Sequence, residues 1–351
     1  MLLSPSIRRV VSAAGKLIAL ATLAFLLWSQ LRVLDWSEVL RLLDDLGAAA
    51  VLVLLPYAVV LLLDTRGWRH TLPAPRTVPL SELGLIRLGT DAVMNTFPAG
   101  VAFAETLRPM LLRRRLGLTW TDAISVTIVS KINIGVTQML FILMGLGMAA
   151  LSYAERLRNT ALFSSPVGVT LAAVAAVLVC VVMWLPYSGG RLSALARLVR
   201  RIPWQALRWR LQHFERSLTE IDAYLARFRR ERRSRLLHSL GYFLLSWFVM
   251  AAETWLILSL LGADVTIVQA VIIESLASVI KVVFFFIPSA LGVQDIGFIA
   301  LIGGLGIPDA LLLSAAFILL RRGKELAWAL AGFASLWRLD VNPFTPATQT
   351  D

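Results

Sequence analysis

The amino-acid sequence predicts an all-α polytopic membrane protein, with about six transmembrane helices plus two re-entrant helical hairpins in an inverted repeat. Three observations lead there. The 351-residue chain is 58% hydrophobic with a mean hydropathy of +0.75, and its apolar residues fall in blocks of roughly 20, the length a bilayer core of about 30 Å requires. Basic residues gather in alternate loops, as they do on the cytoplasmic side of membrane proteins. Two Pro–Gly breaks, Pro98–Gly100 and Pro288–Gly292, begin 190 positions apart.

The apolar windows lie near 15–34, 46–63, 120–150, 167–186, 237–261 and 309–337. No porin-like strand pairs occur, so the spans are helices, which satisfy their own backbone hydrogen bonds in lipid. The first window follows Arg8, Arg9 and Lys16 like a signal sequence; further spans follow it and no soluble domain does, so it reads as a retained signal anchor. Arg8 and Arg9 then lie inside, and Asp35, Glu38, Asp44 and Asp45 form an outside loop. Arg66, Arg69 and Arg76 return the chain to the inside.

Thirteen of the 30 arginines fall between Tyr187 and Leu236. This loop is cytoplasmic only if residues 77–119 make no net crossing. They read as a half-span from Leu80 to Phe97, broken at Pro98 and Gly100 and brought back by Arg108 and Arg113–Arg115. A second such unit runs from Ile267 to Ile287, breaks at Pro288 and Gly292, and returns through Asp295 to Gly306. The offset of 190 also pairs Glu105 with Asp295 and Lys131 with Arg321, and Asp64-Thr65 matches Glu253-Thr254 within one residue. Three crossings separate the units, so the second copy is inverted. Broken helices meeting near the midplane of an inverted repeat are a transporter architecture.

The expected organisation is a single membrane domain over 1–351. Residues 46–150 form the first repeat half, 237–337 the second, and 187–236 a basic cytoplasmic loop. Both termini are expected in the cytoplasm, with the protein in a bacterial-type inner membrane. Within the loop Trp204, Leu207, Leu211, Phe214, Leu218, Ile221 and Leu225 follow helical spacing among arginines. An amphipathic helix of that kind lies on the cytoplasmic leaflet, as an anchor or as a docking surface for a lipid-modifying enzyme. The net charge of +12 is thus directed at membrane lipids and not at nucleic acid. Cys180 is the sole cysteine and falls within a predicted span, so no intrachain disulfide is available and no metal site is expected. The three histidines, His70, His213 and His238, all fall at predicted cytoplasmic positions. No phosphate cradle of the G-x-x-x-x-G-K type occurs and no cofactor is expected, so transport would be gradient-driven or passive unless a partner hydrolyses ATP.

Charges within the predicted membrane segments are the candidate site. Each costs about 2.5–3.5 kcal/mol at the bilayer centre and needs a partner or a wet cavity. Three of the four lysines, Lys131, Lys281 and Lys324, lie there. Lys131 shares a helix face with Thr127, Ile134 and Gln138; it serves as a structural ion pair or meets a lipid phosphate. Arg87, Asp91 and Asn95 form a stripe at i, i+4, i+8. Asp91 is expected to neutralise Lys281 of the other half-helix, with Glu274–Lys281 as the rival pairing. Glu105 and Asp295 follow their breaks by the same seven residues. They either exchange protons, coupling lipid movement to a proton gradient, or accept hydrogen bonds from freed backbone N–H groups. Arg321, Arg322, Lys324 and Glu325 interrupt the last span, with Ser314, Arg321 and Trp328 on one face that should line a cavity. Asp64 and Glu253 are weaker candidates, Asp64 as a marker of its helix end.

Asn95, Pro98, Gly100, Glu105 and Arg108, followed by Arg113 to Gly117, resemble the first motif of the lysylphosphatidylglycerol synthase transmembrane region, a flippase-like membrane family. Pro288-Ser-Ala-Leu-Gly-Val-Gln-Asp295, Gly306 and the Arg321/Arg322 to Glu325 cluster look like its second motif, and Ala-Leu-Gly-Val-Gln is similar to the hopanoid-biosynthesis-associated branch. The family usually has Glu at Asp295 and commonly Arg at Lys131. Members that make aminoacyl lipids carry a large synthase domain after the membrane part, whereas this sequence ends at Asp351. The resemblance implies lipid translocation or lipid handling. Three functions stay open: a secondary lipid transporter, a membrane-embedded transferase using Glu105 and Lys131 as acid and base, and a non-catalytic scaffold for lipid-synthesis enzymes.

Overall fold

A computed structural model describes residues 36–73, 78–97, 100–152, 233–283, 290 and 292–340. The windows at 15–34 and 167–186, the basic loop up to residue 232, Cys180, His213, Pro98 and Pro288 lie outside the described residues.

The described residues are helical throughout, without a strand. Helix α1 (Trp36–Leu46) leads through a 3-10 stretch (Gly47–Leu54) into α2 (Leu55–Arg69). Then come α3 (Leu80–Thr96), α4 (Gly100–Leu116), α5 (Trp120–Ser152), α6 (Arg233–Leu260), α7 (Ile267–Val283), α8 (Val293–Gly304) and α9 (Ala310–Arg338). Among the described residues three helical stretches are long and apolar enough to cross a membrane: Trp36–Arg69, Trp120–Ser152 and Arg233–Leu260. The protein is a multi-pass membrane protein. Helix α9 has 29 residues, long enough to cross, but Arg321, Arg322, Lys324 and Glu325 interrupt its apolar run.

One sequence expectation is corrected. Residues 36–46, expected as an outside loop, form α1. Its sequence is amphipathic: Val39 is fully buried, and Leu42, Leu43 and Leu46 pack on the core of α6–α9, while Asp44 and Asp45 stay exposed. Acidic residues spaced along one face marked this helix as a loop when charge alone was counted.

The helices fall into two sets of four, α2–α5 and α6–α9, with corresponding neighbours. Helix α3 packs on α4, and α7 on α8; α4 packs on α5, and α8 on α9. Across the sets α3 lies on α9, α5 on α7 and α2 on α6. Helices α5 and α9 begin 190 positions apart, at Trp120 and Ala310. Close crossings depend on glycine. A Cβ on Gly332 of α9 would sit 2.5 Å from Ala92 Cβ and 2.6 Å from the Leu88 carbonyl of α3, and one on Gly145 of α5 would sit 1.9 Å from Ser275 Oγ of α7.

Both predicted breaks separate helices. Helix α3 ends at Phe97, whose backbone is extended and whose carbonyl accepts a hydrogen bond of 2.8 Å from the Gly100 N–H. A Cβ on Gly100 would lie 2.5 Å from the carbonyl oxygens of both Val93 and Met94, so only glycine lets α4 start against the end of α3. At the second break Gly292 has φ +78°, a left-handed conformation that glycine adopts without strain. Helices α3 and α4 have 17 residues each, roughly 25 Å at 1.5 Å per residue. Helix α8 has only 12, too few to cross a bilayer core.

Candidate functional site

The first set of helices buries an unbroken chain of alternating charges. Asp64 on α2 meets Arg87 on α3 at 2.5 Å, and Arg87 also reaches Asp91 one turn on at 3.4 Å. Asp91 accepts a hydrogen bond of 3.0 Å from Arg108 on α4, whose Nε also donates to Thr90 at 3.3 Å. Arg108 approaches Glu105 at 3.8 Å, and Glu105 meets the Lys131 ammonium of α5 at 2.5 Å. Four helices are thus joined by three carboxylates and three cations. Asp64, Asp91 and Arg108 are buried, whereas the Lys131 side chain is 44% exposed. An apolar shell raises the cost of an unpaired charge and strengthens each pair, so removing one member is more damaging than the pair is stabilising.

The second set holds a counterpart. Arg321 on α9 grips Glu274 on α7 with two parallel bonds, Nη1 to Oε2 at 3.0 Å and Nη2 to Oε1 at 2.9 Å. Thr254 of α6 donates to the same carboxylate at 2.9 Å. Arg322 bridges Asp295 of α8 and Glu325, each at 2.5 Å. Lys324 pairs with Glu253 of α6, deep in the bundle. The Arg321 guanidinium lies over the Phe298 ring, 4.7 Å from its centroid. Tyr57 of α2 touches this network, its ring tilted at 49° to that of Trp328 with centroids 5.2 Å apart, and lies beneath the Lys324 ammonium at 5.6 Å.

Asp295 does two jobs. Its Oδ1 receives Arg322 while its Oδ2 accepts the Gly292 N–H at 3.0 Å. Sitting at the third position of α8, it closes the helix start in the manner of a capping box. The reading of Asp295 as acceptor for a freed backbone N–H is therefore met alongside an ion pair.

Several sequence pairings are realised and others replaced. Arg87–Asp91 and Glu105–Lys131 both form. Asp91 takes Arg108 instead of Lys281, because α4 folds back directly onto α3. Glu274 takes Arg321 instead of Lys281, because α9 presents a two-pronged guanidinium to its carboxylate. Asp295 takes Arg322, and Arg321 goes to Glu274. On α5 the buried polar stripe is Thr127, Ser130, Asn133 and Thr137, with Asn133 donating to Ser239 at 2.9 Å; Lys131 stands beside it, not in it. Asp64, Glu253, Thr254 and Arg108 are full members of the networks. The match of Asp64-Thr65 with Glu253-Thr254 was the signal that marked three of them.

Outside the networks, α2 docks on the start of α6. Arg235 donates to the carbonyls of His70 and Leu72, and the His70 ring stacks on His238 at 5.3 Å and on Tyr242 at 5.7 Å. Burial, followed by the charge of His238, Arg235 and Arg69, holds the His70 imidazole below its ordinary value.

Among the described residues no group of three or more histidine, cysteine or carboxylate side chains is placed to hold a metal ion. Neither a curated protein nor a solved structure matches the chain. A family model, that of the lysylphosphatidylglycerol synthase TM region, matches residues 16–323. The match takes in α1 to α8 and α9 up to Gly323, which leaves Lys324 and Glu325 of the second network just beyond it. The chain therefore belongs to the lysylphosphatidylglycerol synthase TM region family.

Proposed function

We propose that the protein handles membrane lipids as a flippase-like secondary transporter, passing a lipid headgroup along the two charge networks while the acyl chains stay in the bilayer. The carrying observation is the chain Asp64–Arg87–Asp91–Arg108–Glu105–Lys131, which links α2, α3, α4 and α5 and ends at a half-exposed ammonium. Such a path lowers the cost of bringing a polar head into the membrane, because charges already desolvated there can exchange partners. The two sets of helices with corresponding neighbours support an inverted repeat with re-entrant hairpins, and the family supports a lipid as cargo. Glu105 and Asp295 are the coupling carboxylates in this reading, and a hopanoid, an anionic lipid or a polyprenyl lipid is the cargo. The protein sits in the inner membrane with both termini in the cytoplasm.

Reconstitution into vesicles with labelled lipids in one leaflet tests this. Acceleration of leaflet exchange is the expected result. A new covalent lipid product without exchange would replace transport with transfer chemistry. Cysteine labelling in intact cells tests orientation: a cysteine at Asp44 should react with impermeant reagents and one at Gly189 should not.

A further inference from the structure

The two charge networks lie on separate sets of helices, and Tyr57 stands between them. It belongs to α2 of the first set, seven residues before Asp64, so both lie on one face of that helix two turns apart. Its ring reaches the second set. The Lys324 ammonium lies 5.6 Å from the ring centroid, and the Trp328 ring, one turn further along α9, lies 5.2 Å away at a tilt of 49°. Lys324 and its partner Glu253 are both buried.

The ring and the hydroxyl of this side chain do different things. The negative face of an aromatic ring attracts a cation, more strongly where water is excluded. Lys324 is therefore shared between the Glu253 carboxylate and the Tyr57 ring. The hydroxyl stands in the field of both networks: Asp91, Arg87 and Asp64 of the first and Glu253 of the second are all within electrostatic reach. A phenol has a single hydrogen to donate. Turning it toward the carboxylates of one set withdraws it from the other, and in a dry interior that choice carries weight.

We infer that Tyr57 is a positioning residue that couples the two charge networks, its ring holding Lys324 beside Glu253 and its hydroxyl following the charge of the first set. A change of charge on Asp64 or Asp91 reorients the hydroxyl, and the Lys324–Glu253 pair feels that change through the same side chain. The inference rests on the transport reading and adds to it a residue through which the two sets of helices act together. A side chain that only filled space would need the ring and not the hydroxyl.

The test reads the second network while the first is altered. Trp328 is one of 11 tryptophans, so its emission is taken as the difference between the full-length protein in detergent and its Trp328→Phe variant. Asp64→Asn removes a charge from the first network and leaves Arg87 its ion pair with Asp91. Lys131→Gln does so at the exposed end, where the fold is least at risk. Each should shift the Trp328 emission maximum, and the shift should vanish in the Tyr57→Phe background, which keeps the ring. Tyr57→Phe should also keep the wild-type melting temperature yet slow leaflet exchange by about tenfold, the rate equivalent of one buried hydrogen bond. Tyr57→Leu, without the ring, should lower both. A shift that persists in Tyr57→Phe overturns the coupling, as does the absence of a shift from both first-network variants. A melting temperature lowered in Tyr57→Phe, or unchanged in Tyr57→Leu, overturns the division between ring and hydroxyl. Full exchange in Tyr57→Phe overturns the positioning role. Loss of the shift in a protein that exchanges no lipid sinks the transport proposal and leaves the coupling standing; exchange with a persistent shift does the reverse.

Discussion

Arg321 holds Glu274 through two parallel hydrogen bonds, at 2.9 and 3.0 Å, across the interface of α9 and α7. This is the one fork-to-fork contact in the described networks, and both partners are buried. The planar guanidinium matches the two carboxylate oxygens in a way a single ammonium does not. Replacing Arg321 by Lys should therefore lose one of the two bonds and lower stability by about 1–3 kcal/mol. Replacing it by Leu leaves the Glu274 charge unpaired in an apolar interior and should cost about 3–5 kcal/mol. Thermal unfolding in detergent gives the order: wild type, then Arg321→Lys, then Arg321→Leu. Equal melting temperatures for the two variants would mean that bond geometry contributes nothing.

Glu105→Gln and Asp295→Asn nearly keep shape and remove charge. An asparagine at 295 keeps an oxygen for the Gly292 N–H, so the start of α8 should persist while the Arg322 ion pair is lost. Both variants are expected to insert and fold and to lose lipid-dependent function in a complementation or exchange assay. Full function in both would make these carboxylates structural only.

Charge-conserving changes should be tolerated. Asp295→Glu retains a carboxylate at the third helical position, where glutamate is the usual capping-box residue. Lys131→Arg retains a cation for Glu105, and the side chain is exposed enough to admit the larger group. Exchange rates within about twofold of wild type are expected for each. A tenfold loss in Lys131→Arg would show that the compact ammonium itself is required.

Gly332→Ala and Gly145→Ala push a methyl group into a neighbouring helix, and overpacking of this kind costs about 1–3 kcal/mol. Gly135 and Gly241, also on α5 and α6, have no heavy atom within 4 Å of the added carbon. Alanine there should be neutral or stabilising, by up to about 1 kcal/mol from helix propensity. Unfolding midpoints of the four variants would separate close packing from propensity; four equal midpoints would contradict the α3–α9 and α5–α7 crossings.

The α2–α6 junction should loosen in acid. Because burial and neighbouring positive charges depress the folded-state value of His70, its neutral form is favoured on folding. Stability from this source is complete above the unfolded value of 6.5 and is lost as pH falls through the depressed folded value. His70→Gln should flatten the fall in melting temperature between about pH 7.5 and 5.5, given an ordinary histidine value of about 6.5. An identical slope in the variant would place the sensitivity elsewhere.

Apolar block length, the positions of Gly100 and Gly292 and the 190-residue spacing were enough to locate the helices α2–α9 and both breaks, because each depends on chain-local properties: hydrophobic run, backbone freedom, periodicity. They were not enough for α1, whose acids obscured its buried Val39 face. The same local properties named Arg87, Asp91, Glu105, Lys131, Glu274, Asp295, Arg321 and Arg322, since a charge in an apolar helix is conspicuous wherever it points. Which charge meets which was decided only by tertiary structure. Helical periodicity places residues around their own axis and says nothing of how the neighbouring helix is rotated. Arg321 and Arg322 are adjacent in sequence but about 100° apart around α9, so one faces Glu274 on α7 and the other Asp295 on α8. Lys281, given two carboxylates by sequence, was left without either once α4 and α9 had claimed them.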